Sequence, residues 1–359
     1  MKTARLAVAA ALAAIAGCGD SDDEESAFRV MSQNAYYGFP VGILLEAPAE
    51  EIPIRAAEAF EYLLATDFAG RAEAMADKIA EERPHLIGLQ EMALIRLQSP
   101  GDAVEGGVEP AEVVLFDYVQ ILLDALAARG LDYRVAGSVE NVDVELPMIT
   151  GLDPLTFDDV RLTDRDVVLA RGDVEIGHVV TGNYEARASV PSLGIEIKRG
   201  YVALDAGLGG TARCRFVCTH LEDTPFDDIQ LHQAQELVEL LEAERKAVIL
   251  VGDFNSPAPT GPTYKRLLES GYADAQVGDG GLTWGHDPDL ANPSDAFTMR
   301  LDLVLTRGSR HPIFPVHLEA RSLEVWGDDL EERTESGLWP SDHAAVIAEF
   351  GVVSGVSWR

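Results

Sequence analysis

The stretch of sequence that decides the fold is AVILVGDFN, which covers residues 247–255. Its first five residues are apolar and predict a buried strand, which runs directly into a Gly-Asp-X-Asn turn. Upstream, residues 229–245 have the apolar spacing of a helix, and residues 216–220 form another apolar strand that ends at His220. This strand–helix–strand unit predicts an α/β protein whose polar groups collect where strands end.

The same kinds of element continue outward from that unit along most of the chain. The sequence predicts strands at residues 28–34, 86–89, 133–136, 301–305 and 344–350, helices at 54–65, 68–82 and 110–129, and only short strands and turns over 139–210. Strands alternating with helices in this order suggest two packed sheets with helices outside them.

Polar clusters stand at the ends of these strands. The clusters are Gln33-Asn34, Gln90-Glu91, Thr219-His220-Leu221-Glu222, Gly252-Asp253-Phe254-Asn255 and Ser341-Asp342-His343, with Asp302 in the strand before the last. We expect each cluster to lie at the carboxyl end of a strand or in the loop after it, where open α/β layers carry their sites. A Gly-Asp-X-Asn turn or a Ser-Asp-His triplet alone is more often ordinary turn chemistry. Together and in this order, the clusters favour a single shared site.

In this ordered set the chain resembles the endonuclease/exonuclease/phosphatase superfamily, which includes DNase I, abasic-site endonucleases, bacterial sphingomyelinases and inositol-polyphosphate phosphatases. The resemblance covers roughly residues 28–351. It implies a DNase I-like fold, which is a four-layer α/β/β/α sandwich of two packed mixed sheets with outer helices. It also implies hydrolysis of phosphoester bonds with Mg²⁺, or with Mn²⁺ in its place.

The resemblance further implies which residues bind the metal ion and the phosphate. Glu91 resembles the main metal carboxylate, Asn34 lies at the edge between metal and phosphate, and Asp342 resembles a second metal or base carboxylate. Asn255 resembles a residue that holds the phosphate. Arg199 is similar to a phosphate-contacting arginine of some members.

The catalytic residues follow from the same resemblance. Asp253 is similar to the aspartate that orients the attacking water. His220 matches the histidine on the strand before the Gly-Asp-X-Asn turn, His343 matches the histidine of the last motif, and Asp302 resembles the acid that pairs with His343.

The chemistry of a phosphoester independently requires these residue types. Its negative charge must be neutralised before a nucleophile attacks, and Mg²⁺ prefers oxygen ligands and needs only one or two carboxylates. An imidazole beside an acid has a raised pKa and can donate a proton. Asp164 and Asp166 could each orient His220, and the sequence does not choose between them. No Gly-X-Ser-X-Gly nucleophile motif and no zinc-ligand spacing are present.

The composition limits the classes of partner. The 359 residues include 28 Lys+Arg and 61 Asp+Glu, for a formal net charge of −33, and 47% are hydrophobic, which is enough for a sizeable core. No uncharged run reaches the roughly 20 residues of a spanning helix, which excludes a polytopic membrane protein. Positive charge is scattered without a basic run, which disfavours a dedicated nucleic-acid binder.

The two cysteines of the body, Cys214 and Cys218, fall on one face of a predicted strand. Four residues of strand separate them by about 13 Å, which is too far for a disulfide bond. We therefore expect two buried thiols.

The amino terminus has the pattern of an export signal. Lys2 and Arg5 precede an apolar stretch at residues 6–16, and the sequence IAGC at 15–18 closes it. The small residues before Cys18 resemble the lipobox of bacterial lipoproteins, in which that cysteine is lipidated; an ordinary signal peptide cut near Cys18 is the alternative. We expect a signal peptide at 1–17, an acidic tether at 18–27 and one catalytic domain at 28–353. The protein would then be an exported monomer, anchored by lipid on the periplasmic or cell-surface side of a membrane.

Three interpretations of the substrate stay open, because such motifs define the reaction and not the group that carries the phosphate. The anchor and the acidic surface favour a phosphodiesterase or phosphatase acting on a lipid headgroup or another small phosphoester. The pair His220 and His343 is also found in DNase-like members, which favours a secreted endonuclease. A non-catalytic phosphate-binding module need not keep Glu91, Asp253 and His343, so their presence argues against it.

Overall fold

The computed structural model describes residues 27–191, 194–209, 212–276, 281–312 and 315–354. The predicted signal peptide, most of the acidic tether and the predicted lipidation site Cys18 lie outside these residues. No helix within the described ranges is long and apolar enough to cross a membrane.

Strands dominate the described part of the chain, and helices cover the outside. The strands are β1 (Ala27–Asn34), β2 (Leu86–Gln90), β3 (Leu94–Gln98), β4 (Val113–Asp117), β5 (Tyr133–Leu152), β6 (Leu155–Arg171), β7 (Ile176–Asn183), β8 (Ala188–Val190), β9 (Ile195–Ile197), β10 (Gly200–Gly207), β11 (Arg213–His220), β12 (Ala247–Asp253), β13 (Ala273–Asp274), β14 (Asp302–Arg307), β15 (Val316–Trp326) and β16 (Ala345–Ser354). The helices are α1 (Gly42–Leu45), α2 (Ile52–Ala65), α3 (Phe68–Glu82), α4 (Tyr118–Ala128), α5 (Asp227–Leu240) and α6 (Pro262–Glu269).

These strands form two large mixed sheets. The first has the order β15-β16-β1-β2-β6-β3-β4, and β5 pairs along the free edge of β6. The second has the order β13-β14-β12-β11-β10-β7, and β8 with β9 makes a small separate ribbon. Within the sheets, β1 runs parallel to β2 and β11 runs parallel to β12, so the ends of both pairs can carry one site.

Three apolar clusters hold the layers together. The largest inter-sheet cluster joins residues of β1, β2 and β16 to residues of β10, β11 and β12. A second cluster packs α2, α3 and α4 on the outside of the first sheet, and a third packs α5 and α6 on the outside of the second. The order is helices, sheet, sheet, helices, which confirms the expected α/β/β/α sandwich.

Gly88 of β2 allows the two sheets to approach closely. A Cβ atom at this position would stand 3.0 Å from Cys218 Sγ and only 2.6 Å from Val251 Cγ2, and the second distance is shorter than real Cβ contacts. Cys214 and Cys218 are both buried free thiols, as expected.

The predicted helix at residues 110–129 is wrong in its first half. Residues Val113–Asp117 form β4, which pairs antiparallel with β3, and the helix begins only at Tyr118. The Asp117 side chain accepts the backbone N–H groups of Val119 and Gln120 and so caps the helix start. Pairing with a neighbouring strand thus overrides the helical spacing of the apolar residues.

The region 139–210 also differs from the predicted series of short strands. Its first part is a long hairpin in which the 20-residue β5 pairs with the 17-residue β6. Three register shifts interrupt this pairing, and the alternation of residue types breaks at such bulges. The edge strand β15 was not predicted either, because most of its side chains are exposed or half-buried and leave no apolar run.

Candidate active site

The polar clusters of the sequence meet at one edge of the sandwich. In the second sheet the register pairs His220 with Asp253 and Asp253 with Asp302. In the first sheet Asn34 pairs with Gln90, and Glu91 follows directly. Because parallel strands end at the same edge, Asn34, Glu91, His220 and Asp253 come together there.

The cluster Ser341-Asp342-His343 reaches this edge from the other direction. It lies in the loop that follows β15 and leads into β16, so it too follows a strand as expected. Since β16 runs antiparallel to β1, its amino end lies where β1 ends. Asp302 is likewise the first residue of β14, which runs antiparallel to β12.

Gly252 explains why the Gly-Asp-X-Asn turn begins with glycine. Its φ is +151°, and a Cβ atom there would stand 1.9 Å from the carbonyl oxygen of Thr219. Only glycine therefore lets β12 lie this close to β11 next to the His220–Asp253 pair. Glu91 and Asn255 also have positive φ values, +60° and +49°, so the backbone of the site is strained at functional side chains.

His343 forms a buried ion pair with Asp302. His343 Nδ1 lies 2.8 Å from Asp302 Oδ2, and Thr283 Oγ1 accepts the backbone N–H of Asp302. Burial by itself lowers the pKa of His343, but the carboxylates of Asp302, Asp253 and Asp342 outweigh it and hold this pKa well above its usual range. His343 is therefore a cation at neutral pH.

His220 is in the opposite state. Burial lowers its pKa well below the usual range, and the positive charges of Arg199 and His343 lower it further. Arg199 Nη1 lies 3.1 Å from His220 Nδ1. Because a guanidinium only donates hydrogen bonds, His220 Nδ1 is the acceptor in this contact.

Asp253 lies between the two imidazoles. Its Oδ2 is 3.6 Å from His220 Nε2 and 3.7 Å from His343 Nε2. Its Oδ1 accepts the backbone N–H of Asn255 at 2.9 Å, which fixes the orientation of the carboxylate. Asn255 Nδ2 donates to Leu221 O at 3.0 Å and lies 3.3 Å from His220 Nε2. One carboxylate oxygen thus faces a charged and a neutral imidazole.

Asn34 links this carboxylate to Glu91. Asn34 Nδ2 lies 3.0 Å from Glu91 Oε1 and 3.2 Å from Asp253 Oδ2, and Asn34 Oδ1 accepts the backbone N–H of Tyr36. Burial raises the pKa of Glu91 to about 8, with a further contribution from the negative charge of Asp342. The carboxylates of Glu91 and Asp342 repel each other, and a cation bound between their oxygens would relieve this repulsion.

Two groups of side chains can be tested as a divalent-metal site. Asp253, Asp302 and His343 have ligand atoms within 4.8 Å of one another, and they are the only such group of His, Cys, Asp and Glu in the described residues. His343 Nδ1, however, already contacts Asp302 Oδ2 at 2.8 Å, so only Nε2 of this imidazole could bind an ion. Glu91 with Asp342 fits Mg²⁺ better, because Mg²⁺ prefers oxygen ligands and both side chains are carboxylates, near enough for the charge of Asp342 to raise the pKa of Glu91.

Arg199 lies beside the site, and its side chain is only 11% exposed. It contacts Glu222 Oε1 at 3.2 Å and Asp164 Oδ2 at 3.8 Å in addition to His220. Contact with a phosphate stays a prediction for this residue, whose present neighbours are buried acids.

The sequence left open whether Asp164 or Asp166 orients His220. Asp166 is the nearer candidate, with its Oδ1 3.9 Å from His220 Nδ1. Both acids lie inside β6.

Arg71 is a residue that the sequence reasoning missed. It is fully buried in α3, and its guanidinium donates to the backbone oxygens of Thr66, Ala35, Tyr36 and Pro340. It thereby ties the segment after Asn34 to the segment before Ser341. A signal was present: Arg71 falls three residues after Phe68, on the apolar face of α3.

The fold is a DNase I-like α/β/β/α sandwich, and its site, at the edge where β1, β2, β11 and β12 end, consists of carboxylates and histidines. The chain belongs to the endonuclease/exonuclease/phosphatase family, whose model matches residues 62–343. Members of this family are in general hydrolases that act on phosphoesters, and they typically use a divalent metal ion. No curated protein sequence matches the chain.

Solved structures share the fold at low sequence identity. An endonuclease/exonuclease/phosphatase family protein from Leptotrichia buccalis superposes with a TM-score of 0.55 at 15% identity over 90% of this chain and 99% of that one. An endonuclease/exonuclease/phosphatase from Beutenbergia cavernae gives 0.55 at 19% identity over 91% and 72%. Humanized TDP2 of D. rerio gives 0.52 at 17% identity over 90% and 99%. At these identities the likeness shows the fold alone.

Proposed function

We propose that the protein is a metal-dependent phosphoester hydrolase that acts outside the cytoplasm on a lipid headgroup or another small phosphoester. The observation that carries the proposal is the pair of imidazoles that both face Asp253 Oδ2, at 3.6 Å from His220 Nε2 and 3.7 Å from His343 Nε2. A charged imidazole that is held by an acid and a neutral one that is held by an arginine are suited to different steps of one acid–base reaction.

The residues divide the work as follows. A Mg²⁺ or Mn²⁺ ion held by Glu91 and Asp342 would neutralise the phosphate charge. Asp253, fixed by the N–H of Asn255, aligns the attacking water and accepts its proton. His343 donates its proton to the leaving oxygen and is kept charged by Asp302.

The remaining polar groups of the edge hold the phosphate. Asn34 directs its N–H groups toward the cluster, and amide donors bind phosphate oxygens without adding charge. The His220 ring lies next to this group, with its Nε2 3.6 Å from Asp253 Oδ2 and 3.3 Å from Asn255 Nδ2. Trp284 is half-buried, and its ring centre lies 6.4 Å from that of His343, so it forms a wall next to the leaving-group side.

The location outside the cytoplasm rests on the leader sequence and on IAGC at residues 15–18. A formal charge of −33 supports a small or lipid phosphoester over DNA, since a duplex repels an acidic protein that has no basic run.

The test is hydrolysis of bis(p-nitrophenyl) phosphate, compared with plasmid DNA, sphingomyelin and phosphatidyl lipids at one salt concentration. We expect hydrolysis of the chromogenic diester and of a lipid or small phosphoester, with loss of activity in Asp253→Asn. Cleavage of DNA at a higher kcat/KM would replace the proposed substrate with nucleic acid. Absence of hydrolysis on every phosphoester would overturn the enzymatic role.

A further inference from the structure

Two glutamines lie on the buried face of α5. Gln230 and Gln233 are 1% and 0% exposed, and the other buried residues of this helix are Ala234 and Leu237. A helix that covers a sheet normally presents apolar side chains to it, and a buried amide is costly unless its polar atoms are hydrogen-bonded. The partners of the two amides therefore indicate why glutamine stands at each position.

Gln230 joins the two loops that follow the central strands of the second sheet. Its Nε2 donates to the backbone oxygen of Glu222, after β11, at 2.8 Å and to the backbone oxygen of Asn255, after β12, at 2.7 Å. Both partners are carbonyl oxygens, which only accept, so the NH₂ group of the amide must face them. One buried side chain thus connects the loop after His220 to the loop after Asp253.

The backbone of Asn255 depends on this contact. Its φ of +49° lies in the left-handed region, where a residue with a side chain is strained. In this conformation the Asn255 N–H group donates to Asp253 Oδ1 at 2.9 Å. The hydrogen bond from Gln230 to Asn255 O stabilises the same conformation from the other end of the residue. Gln230 is therefore coupled to the Asp253 carboxylate through the backbone of Asn255.

Gln233 supports only one of the two loops. Its Oε1 accepts the backbone N–H of Glu222 at 2.8 Å, and its Nε2 donates to Ala186 O at 3.0 Å. The loop after β11 thus has two contacts with glutamines of α5. Asn255 O, in contrast, has Gln230 as its only donor among the described residues.

We propose that Gln230 is a positioning residue for hydrolysis. Its amide holds the Asn255 backbone, and through it holds the Asp253 carboxylate in the orientation that aligns the attacking water. Because Gln230 is only 1% exposed, it acts through Asn255 and not by contact with the substrate. This inference rests on the proposed phosphoester hydrolase function and adds a residue of α5 to it.

The test compares Gln230→Met with Gln233→Met, since methionine fills a similar space and donates no hydrogen bond. We expect kcat of Gln230→Met to fall about 10- to 100-fold on bis(p-nitrophenyl) phosphate and on an unactivated diester alike, because both reactions need an aligned water. Gln233→Met should lose less than about threefold, because Asn255 O keeps its donor. Gln235→Met, which changes an exposed glutamine of the same helix, should match the wild type.

Two further measurements separate positioning from a general loss of structure. Glu91 and Asp342 belong to the first sheet and its loops, so the half-saturating Mg²⁺ concentration of Gln230→Met should equal that of the wild type. Each buried variant removes two hydrogen bonds, so both should lower the midpoint of urea unfolding to a similar extent. A difference in kcat between them then does not follow from stability.

Equal kcat values of the two buried variants would overturn the positioning role, as would a changed Mg²⁺ dependence of Gln230→Met. If Gln230→Met does not fold, Gln230→Asn keeps an amide that is one methylene too short to reach both oxygens, and it should show the same selective loss of kcat. Wild-type kcat in Gln230→Asn would equally overturn the inference. In each of these cases hydrolysis by the wild type leaves the proposed function standing, whereas both proposals fail if the wild type hydrolyses no phosphoester.

Discussion

At the scale of single residues, the two histidines differ in what faces their ring nitrogens. Asp302 accepts from His343 Nδ1, whereas Arg199 donates to His220 Nδ1. The same imidazole chemistry therefore gives a cation at His343 and a neutral group at His220. Only the charged imidazole can serve as a general acid at neutral pH.

We predict that His343→Ala loses about 10²- to 10⁴-fold in rate on an unactivated diester and much less on bis(p-nitrophenyl) phosphate. A poor alkoxide leaving group needs a proton during bond breaking, while p-nitrophenolate does not. His220→Ala should slow both substrates to a similar degree, because a neutral imidazole of low pKa contributes a hydrogen bond. Steady-state rates of the two variants on both substrates check this.

Asp253→Asn provides the matched control, since a group that acts on the water should affect both substrates alike. If His343→Ala loses the same factor on both diesters, His343 is not the general acid. A selective loss in His220→Ala would transfer that role to His220.

At the scale of elements, α3 was predicted correctly from the sequence, whereas the segment at residues 110–129 was not. Its bounds, Phe68–Glu82, follow from the apolar spacing and from Pro84, and the structure confirms them. The same spacing failed at residues 110–129, because pairing of β4 with β3 is a long-range contact that local spacing does not contain. The β-bulge at Asn141 could not be predicted for the same reason, because a bulge is defined only by the pairing with a partner strand.

The candidate site was easier to predict than the elements around it. The short polar motifs at strand ends predicted one shared site. In the structure four of their residues lie in contact at one edge of the sandwich: Asn34, Glu91, Asp253 and His343. Their protonation states could not be predicted, because these depend on burial and on neighbours distant in sequence.

Arg71 of α3 gives a prediction at this scale. Arg71→Met should lower the free energy of unfolding by about 3 kcal/mol, because it leaves buried backbone oxygens without a donor. The control is Arg129→Met. It removes surface ion pairs with Glu73 and Asp77, which are also in α3, and should lower the free energy of unfolding by less than about 1 kcal/mol. Urea unfolding of both variants measures the difference. Equal losses would mean that Arg71 does not hold the loops of the site.

At the scale of the whole molecule, the proposed location outside the cytoplasm rests on the leader sequence and on Cys18. Eight residues, 19–26, lie between Cys18 and the start of β1 at Ala27, and this stretch spans at most about 30 Å when extended.

We predict that Cys18→Ser releases the protein from the membrane fraction or blocks its processing. Lipidation of this cysteine would supply the anchor, and serine cannot form the thioether. Membrane fractionation and the mass of the mature amino terminus check the prediction. A wild-type protein that fractionates as soluble, with a mature amino terminus other than Cys18, would contradict it.

The most direct measurement of the central claim is the rate of bis(p-nitrophenyl) phosphate hydrolysis as a function of Mg²⁺ concentration, in wild type and in Glu91→Gln. The account predicts no activity in EDTA, recovery with millimolar Mg²⁺ or Mn²⁺, and a half-saturating Mg²⁺ concentration raised more than about tenfold in Glu91→Gln. Calorimetric titration of Mg²⁺ into both proteins should show the same weakening without substrate. Full activity in EDTA, or equal Mg²⁺ dependence of the two proteins, would contradict the account.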